Sequence, residues 1–209
     1  MRVTAETKAE TRARILEAAR QLFASGGFEA TSTRNIAQAA GIATGTLFNY
    51  FPTKEAIVAC LASEAAAGAH AQFADGAIDA ESLAEELFAL VAAGLRKLKL
   101  LRKHLPALLE TTLSPLVAAS GGDGETWRVT HLETVTRLAA KHRLGELSPV
   151  ALQLYWTLYT GVLLFWANDK SPKQEDTLAL LDHSLEMFVG WLKSQHDDLS
   201  TTPPKKRGS

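Results

Sequence analysis

The chain has 209 residues, of which 46% are hydrophobic and 22% are charged, and its formal net charge is −1. This composition is that of an ordinary globular protein, which excludes a disordered chain, a collagen-like chain and a disulfide scaffold. At about 150 residues per domain, the length allows one or two domains with a sizeable buried core.

The amino terminus and the apolar segments favour a cytoplasmic protein. Charged, helix-forming sequence follows Met1-Arg2-Val3-Thr4 directly, without the apolar segment and cleavage site of a signal peptide. The longest strongly apolar stretch, residues 155–167, is shorter than the roughly 20 residues that a membrane-spanning helix needs. Cys60 has no second cysteine for a disulfide, which fits a reducing compartment. We therefore expect no membrane segment.

Charge is distributed unequally along the chain. Residues 1–60 contain seven lysines and arginines and five acidic residues, a net charge of +2, whereas the remainder has a net charge of −3. The difference permits an anionic partner for the amino-terminal part, but it is too small to establish one.

Helical periodicity runs through almost every segment, and no segment shows the alternation of a β-strand, so we predict an all-α fold. The first helix ends at Gly26-Gly27 and has one apolar stripe. Its members are Ile15, Ala18, Ala19, Leu22 and Phe23. Two short helices follow at 32–40 and 44–51, separated by Gly41-Ile42-Ala43, and Pro52 ends the second.

Longer helices are predicted for the rest of the chain. The fourth helix begins after Thr53, a candidate N-cap, and continues to about Phe73. Further helices are expected at about 80–99, 101–119 with a bend or break at Pro106, 124–143, 148–168 and 173–195. Residues 196–209 are predicted to form a disordered tail.

Residues 32–51 have the pattern of a helix-turn-helix. Ile36, Ala37 and Ala40 provide a close-packing face, and Gly41 lies at a turn where we expect a positive φ. In this motif the second helix lies in the major groove of DNA, while the first crosses the backbone. We therefore expect DNA contacts from the outward residues of the second helix. These are Thr44, Gly45, Thr46, Asn49 and Tyr50.

The chemistry of these residues suits DNA. Hydroxyl and carboxamide groups bond to phosphates or base edges, and Gly45 allows the backbone to approach closely. Ser32, as the N-cap of the first short helix, and its neighbours Thr33 and Arg34 are also predicted to contact DNA. Lys54 lies beside the amino terminus of the fourth helix, where the helix dipole favours an anion, so we expect it to bind a phosphate.

Three ungapped segments carry a family resemblance: Phe23-Ala-Ser-Gly-Gly-Phe28, Ser32-Thr-Arg-Asn-Ile-Ala-Gln-Ala-Ala-Gly-Ile-Ala43 and Gly45-Thr-Leu-Phe-Asn-Tyr-Phe-Pro-Thr-Lys-Glu55. Through them, residues 11–61 resemble the DNA-binding domain of TetR-family (TetR/AcrR-type) transcriptional regulators. The family often has tyrosine where Phe48 stands, and the tyrosine hydroxyl commonly contacts phosphate. We expect that contact to be missing or made by Tyr50, and we expect Asn49, which is uncommon there, to influence the choice of operator.

The resemblance implies a transcriptional regulator, most often a repressor, that binds a palindromic operator as a homodimer and is released by a small-molecule effector. It implies a helix-turn-helix DNA-binding domain over 1–52 and a helical ligand-binding and dimerisation domain over 53–195, followed by the tail over 196–209. The effector would favour a conformation in which the helix at 53–73 moves and spreads the recognition helices.

Two carboxy-terminal helices have the pattern of an interface. Helix 148–168 spreads apolar side chains over roughly 200°, about twice the stripe of a surface helix, so one neighbour cannot bury them all. Helix 173–195 has a second apolar seam, made of Leu178, Leu181, Leu185, Phe188, Val189 and Leu192. We expect these helices from two subunits to form a four-helix dimer interface.

Several aromatic and polar residues are candidates for the ligand pocket, although each residue type is also common in a core. They are Phe73, Phe88, Trp127, His131, Tyr155, Tyr159 and Phe165. The basic run at 96–104 is expected to be a solvated face. The spacing near His131 and near His183 places no three or four metal ligands together, so we expect no metal and no cofactor.

Motifs typical of enzymes are missing from the sequence. There is no Gly-x-Ser-x-Gly, no His-Glu-x-x-His and no phosphate loop, so we expect no catalytic activity. The alternative to a DNA-binding regulator is a helical ligand-binding or interaction protein without specific DNA binding.

Overall fold

The computed structural model describes residues 5–75, 80–108 and 123–201. These residues contain no β-strand, which confirms the all-α prediction. The helices are α1 (Ala5–Gly26), α2 (Thr33–Ala39), α3 (Thr44–Phe48), α4 (Lys54–Asp75), α5 (Leu83–Leu98), α6 (Leu105–Leu108), α7 (Asp123–Lys141), α8 (Pro149–Asn168) and α9 (Glu175–Thr201). Short 3₁₀ helices lie at Lys99–His104 and Pro172–Gln174.

Helices α1, α2 and α3 pack together as the predicted helix-turn-helix unit. The backbone N–H of Asn35 donates to the Ser32 hydroxyl at 3.1 Å, so Ser32 caps α2 as expected. Gly41 follows α2 with φ +67°, which confirms the positive φ. Ile36 and Leu47 are fully buried, where α2 packs against α1 and α3 packs against α2.

Helix α4 connects this amino-terminal unit to the rest of the protein. The Thr53 hydroxyl accepts a hydrogen bond from the Ala56 N–H at 3.1 Å, which is the predicted N-cap. The helix contacts α1 in the amino-terminal unit and both α5 and α7 in the larger helical body. It therefore packs against both parts of the protein.

Four helix boundaries differ from the predictions by three residues or more. Helix α5 begins at Leu83 instead of about 80, and α6 begins at Leu105 instead of 101, just before the predicted break at Pro106. Helix α3 ends at Phe48, three residues earlier than expected, and a hydrogen-bonded turn leads to Pro52. Helix α9 continues to Thr201, so the prediction of a disordered tail is wrong for 196–201, because no glycine or proline precedes position 203 to end the helix. Residues 202–209, and 109–119 of the helix expected at 101–119, lie outside the described residues.

Helix α8 has two apolar faces, as its wide arc predicts. One face is buried in the body and includes Tyr155, Trp156, Tyr159, Val162, Leu163 and Trp166. The other face exposes Val150, Leu154, Leu164 and Phe165. By length and composition α8 is apolar enough to cross a membrane, although the sequence had suggested no such segment, and a core helix has the same properties.

Helix α9 lies against α8 and α5. Most of its predicted seam is buried, namely Leu181, Leu185, Phe188, Val189 and Leu192. Leu178 is an exception with an exposed fraction of 38%, and Met187 is 75% exposed on the outer side of the helix. Helices α8 and α9 thus both present apolar residues to the outside.

Candidate functional site

The outer surface of α3 carries the residues predicted to read DNA. Leu47 points into the core, which leaves Gly45 and Phe48 exposed on the other side of this five-residue helix and Asn49 exposed at its C-cap. Thr44, Thr46 and Tyr50 are half-buried at its edges. The structure therefore brings the predicted α3 residues to one surface element.

Phe48 is a surface residue that the sequence analysis treated only as a lost hydroxyl. Its exposed fraction is 47%, which is large for a phenylalanine. An aromatic side chain at this place suits apolar contact with a thymine methyl group. No local pattern in the sequence decides this exposure, because adjacent residues of a helix can both be buried, as Tyr155 and Trp156 are.

Gly45 leaves open space on the protein's own side. A Cβ added there meets no protein atom within 4 Å, and its φ lies outside the left-handed region. The protein fold therefore does not require glycine at position 45. If a substitution at position 45 weakens binding, the glycine is needed because a binding partner approaches the backbone closely there.

The start of α2 combines capping with exposed polar groups. The Ser32 hydroxyl is occupied by its contacts with Asn35, so its first role is structural. Arg34 is exposed and Thr33 is half-buried beside it. These two side chains lie at a helix amino terminus, where a phosphate is favoured.

Lys54 is held by the protein itself. Its Nζ donates to the backbone carbonyl of Phe28 at 2.8 Å and to that of Thr31 at 3.1 Å, and it lies 3.7 Å from the centre of the Phe28 ring. Two of the three ammonium protons are thus used inside the chain. Lys54 fixes the loop at 27–32, between α1 and α2, against the start of α4.

A second contact fixes the same loop to the helical body. The ring of His104 lies 4.4 Å from the ring of Phe28. At the other side of this 3₁₀ segment, Arg102 Nε donates to the carbonyl of Trp166 at 2.7 Å, at the end of α8. The expectation of a solvated basic face is therefore wrong for Arg102 and His104, whereas Arg96, Lys97, Lys99 and Lys103 are exposed.

The environment of His104 keeps its imidazole neutral at pH 7. Burial is the main cause that lowers its pKa. Glu29 raises the pKa, whereas Lys54 and Lys103 lower it further. The loop and the 3₁₀ segment are therefore joined by a contact between the Phe28 ring and a neutral, tilted imidazole ring.

Four of the predicted pocket residues meet in an aromatic cluster inside the body. The cluster comprises Trp127 and His131 of α7, Tyr155, Trp156 and Tyr159 of α8, and His70 of α4. His131 lies at its centre, with Nδ1 2.9 Å from Nε2 of His70 and Nε2 3.0 Å from the Tyr155 hydroxyl. His70 and Trp156 were not among the predicted pocket residues, because no local pattern in the sequence shows which residues of different helices come into contact.

Burial makes this hydrogen-bonded chain neutral. It lowers the pKa of His70 and lowers that of His131 well below its usual value. It also raises the pKa of Tyr155 well above its usual value. At neutral pH the two imidazoles and the phenol therefore carry no charge.

The other predicted pocket residues lie elsewhere. Phe73 is half-buried against the core. Phe88 borders an open groove between α5 and α9 that Leu178 and Glu186 also line. Phe165 is 43% exposed, because six residues after Tyr159 the helix has turned its side chain to the outer face. Among the described residues, no group of three or more histidines, cysteines and acids is placed to hold a metal.

Comparisons with known proteins agree with the geometry of the amino-terminal unit. The family model of bacterial regulatory proteins, tetR family, matches residues 15–61, which contain α2, α3 and the turn between them. By this match, residues 15–61 are a tetR-family segment. The match includes every predicted DNA-contacting residue, from Ser32 to Lys54.

Curated relatives match this chain over short segments. The transcriptional repressor KstR of Rhodococcus jostii is 41% identical over 63 residues, which are 30% of each chain. The transcriptional regulator UidR of Escherichia coli is 43% identical over 54 residues, 25% of this chain and 28% of UidR. The chain therefore matches less than a third of the length of these relatives.

Solved structures share the fold over nearly the whole chain. A TetR transcriptional regulator from Rhodococcus sp. RHA1 is 19% identical with a TM-score of 0.68, covering 87% of this chain and 97% of that one. Thermus thermophilus FadR, solved with lauroyl-CoA, is 24% identical with a TM-score of 0.61, covering 95% and 98%. RolR, solved with resorcinol, is 17% identical with a TM-score of 0.59, covering 97% and 99%. These likenesses extend the shared fold to the helical body.

Proposed function

We propose that this TetR-family chain is a sequence-specific DNA-binding regulator, and that it represses transcription from a palindromic operator as a homodimer in the cytoplasm. The observation that carries the proposal is the exposed surface of α3, with Gly45, Phe48 and Asn49 held outward by the buried Leu47. It lies within the segment that the family model matches. The proposal assigns no catalytic role to the chain.

The DNA contacts divide into two groups. Thr44, Thr46 and Asn49 read base edges in the major groove, and Phe48 adds an apolar contact. Ser32, Thr33 and Arg34 at the start of α2, together with Tyr50, contact the phosphate backbone. Lys54 acts first by fixing the 27–32 loop, and its remaining proton is available for a phosphate.

The homodimer is proposed from the outer faces of α8 and α9. Leu164, Phe165 and Met187 are 48%, 43% and 75% exposed. Exposed apolar residues on two helices that pack together favour a protein interface, and a second copy can cover both helices in a two-fold arrangement. A dimer also provides two recognition helices, which a palindromic operator requires.

The effector is proposed to bind at the aromatic cluster, with Trp127, His131, Tyr155 and Tyr159 among its contacts. The likenesses to FadR with lauroyl-CoA and to RolR with resorcinol support a ligand-responsive body. His70 of the cluster and Lys54 lie on the same helix, α4, about 24 Å apart at 1.5 Å per residue. A ligand that shifts His70 therefore moves the element that holds the helix-turn-helix unit.

Salt-dependent binding separates this proposal from its alternative, a helical ligand-binding protein without specific DNA binding. We expect the purified full chain to bind operator duplex with an affinity that falls steeply as salt rises, because phosphate contacts release counterions. Asn49→Ala should reduce the preference for operator over unrelated duplex. If the unmodified chain and Asn49→Ala both bind all duplexes weakly and equally, the alternative of a ligand-binding protein without specific DNA binding is favoured.

A further inference from the structure

The aromatic cluster contains buried polar atoms without a hydrogen-bond partner among the described residues. They are Nδ1 of His70 and Nε1 of Trp127 and Trp156. The Trp127 indole does interact with the Tyr159 hydroxyl, which partly offsets the rise that burial causes in the Tyr159 pKa, so only the atoms of His70 and Trp156 are left without a partner. Both His70 and Trp156 are more than nine-tenths buried. Native proteins pair nearly all such atoms with protein, water or a ligand.

The hydrogen-bonded chain leaves the end at His70 open in either direction. If the Tyr155 hydroxyl donates to His131, then His131 Nδ1–H donates to His70 Nε2, and His70 Nδ1–H is a free donor. In the reverse direction His70 Nδ1 is a free acceptor. The Trp156 indole N–H can only donate, so any group that pairs with it is an acceptor.

The cluster offers no charge to compensate an ionic ligand. The pKa of His70 and that of His131 are lowered by burial, and the phenol of Tyr155 stays protonated. Two arginines lie next to the cluster. Arg137 acts electrostatically on His70, but its side chain is exposed to solvent. The Arg128 guanidinium lies 5.7 Å from the centre of the Trp156 ring and donates to the Gln153 side chain at 2.7 Å. An ionised carboxylate would lose its hydration here, and Arg128 is already bonded to Gln153.

Three rings of the cluster are nearly parallel. The rings of Tyr155 and Tyr159 lie within 5° of parallel, and the His131 ring deviates from them by 22° and 20°. His131 and Tyr159 are in stacking contact, with ring centroids 4.1 Å apart. A flat ring extends such an arrangement with favourable offset stacking, whereas a branched aliphatic group does not.

We infer that the effector is a flat, uncharged molecule whose carbonyl-type oxygen accepts a hydrogen bond from Trp156 Nε1 and which also pairs with Nδ1 of His70. The inference rests on the proposed function in calling this ligand an effector. Trp156 lies on α8 and His70 on α4, so one ligand joins the helix of the proposed dimer interface to the helix that leads to the DNA-binding unit.

Three probes of similar size test this chemistry on the full chain without DNA: acetophenone, ethylbenzene and benzoate. Acetophenone has the neutral acceptor, ethylbenzene lacks it, and benzoate is ionised. Tryptophan fluorescence reports binding, since Trp127 and Trp156 both lie in the cluster. One hydrogen bond to a buried group corresponds to about five- to tenfold in affinity, so we expect acetophenone to bind at least fivefold tighter than either other probe.

Matched variants assign the effect to the cluster. Trp156→Phe should weaken acetophenone binding about five- to tenfold and leave ethylbenzene binding unchanged, because only the N–H donor is lost. Trp191→Phe is the control, since Trp191 lies on α9 beside Phe188 and outside the cluster. Circular dichroism checks folding, and if Trp156→Phe does not fold, the ranking of the three probes on the unmodified chain still tests the inference.

The inference is overturned if benzoate or ethylbenzene binds as tightly as acetophenone, if Trp156→Phe and Trp191→Phe behave alike, or if none of the probes binds up to its solubility limit. Buried water alone would then pair the two atoms. A protein that shows the expected ranking but binds no duplex would contradict the proposed function and not the ligand site. A protein that binds operator but fails the ranking would contradict this inference only.

Discussion

Lys54 provides the sharpest test of how the DNA-binding unit is held. We predict that Lys54→Met destabilises the protein, because it removes hydrogen bonds of 2.8 and 3.1 Å to the carbonyls of Phe28 and Thr31 and a cation 3.7 Å from the Phe28 ring. A hydrogen bond from a charged donor contributes about 1.5–3 kcal/mol when well buried. Lys54 is only half-buried, so we expect a loss of about 2 kcal/mol in the free energy of unfolding.

Urea denaturation of the full chain at pH 7 measures this loss, and Lys97→Met on the exposed face of α5 is the matched control. Operator binding at several salt concentrations then separates positioning from direct phosphate contact. A lysine that only positions the loop leaves the salt slope unchanged, whereas loss of a phosphate contact reduces the slope by about one. Equal stability of the Lys54 and Lys97 variants would refute the positioning role.

Four further predictions follow from single residues. Gly45→Ala should leave the melting temperature unchanged, because a Cβ at position 45 meets no protein atom. It should weaken operator binding more than tenfold, because the added methyl group would meet DNA that approaches the backbone there. Unchanged operator binding would contradict a close approach. Asn49→Ala should alter the preferred operator bases, and identical selected sequences would exclude it as a base-reading residue. Met187→Glu should yield monomers in sedimentation velocity, whereas the control Val129→Glu, also at an exposed apolar residue, should stay dimeric. If both variants are dimeric, the outer face of α9 is not the dimer interface. Asp169 accepts hydrogen bonds from Thr177 and Ser171, which lower its pKa to about 2. Asp169→Asn should therefore lower the free energy of unfolding by its full amount above about pH 4, and the loss should disappear as the pH falls through 2. A loss that does not change with pH would contradict this prediction.

Local signals in the sequence were sufficient for the helix-turn-helix. Ser32 and Asn35 mark the start of α2, Gly41 marks its end with a positive φ, and Pro52 closes the turn after α3. Each signal acts through the backbone within a few residues, which is why a single sequence reveals it. The wide apolar arc of α8 likewise predicted two buried or covered faces, because helical periodicity fixes which side chains share a face.

Contacts between distant helices were not predictable in the same way. His70 meets His131 across 61 residues of sequence, and no periodicity specifies which helix packs beside which. Arg102 and His104 have the composition of a solvated basic run, yet tertiary packing places one at the end of α8 and the other against Phe28. Phe165 failed as a pocket residue for the opposite reason, since residue type alone does not fix the direction of a side chain.

Selection of the full chain against a random pool of double-stranded DNA, at near-physiological salt, tests the central claim most directly. The account predicts enrichment of an inverted repeat whose half-sites match the spacing of two α3 helices in a dimer. A variant carrying both Thr46→Ala and Asn49→Ala should enrich a different or weaker sequence. A folded, dimeric protein that enriches no sequence, at this salt and at low salt, would contradict the account.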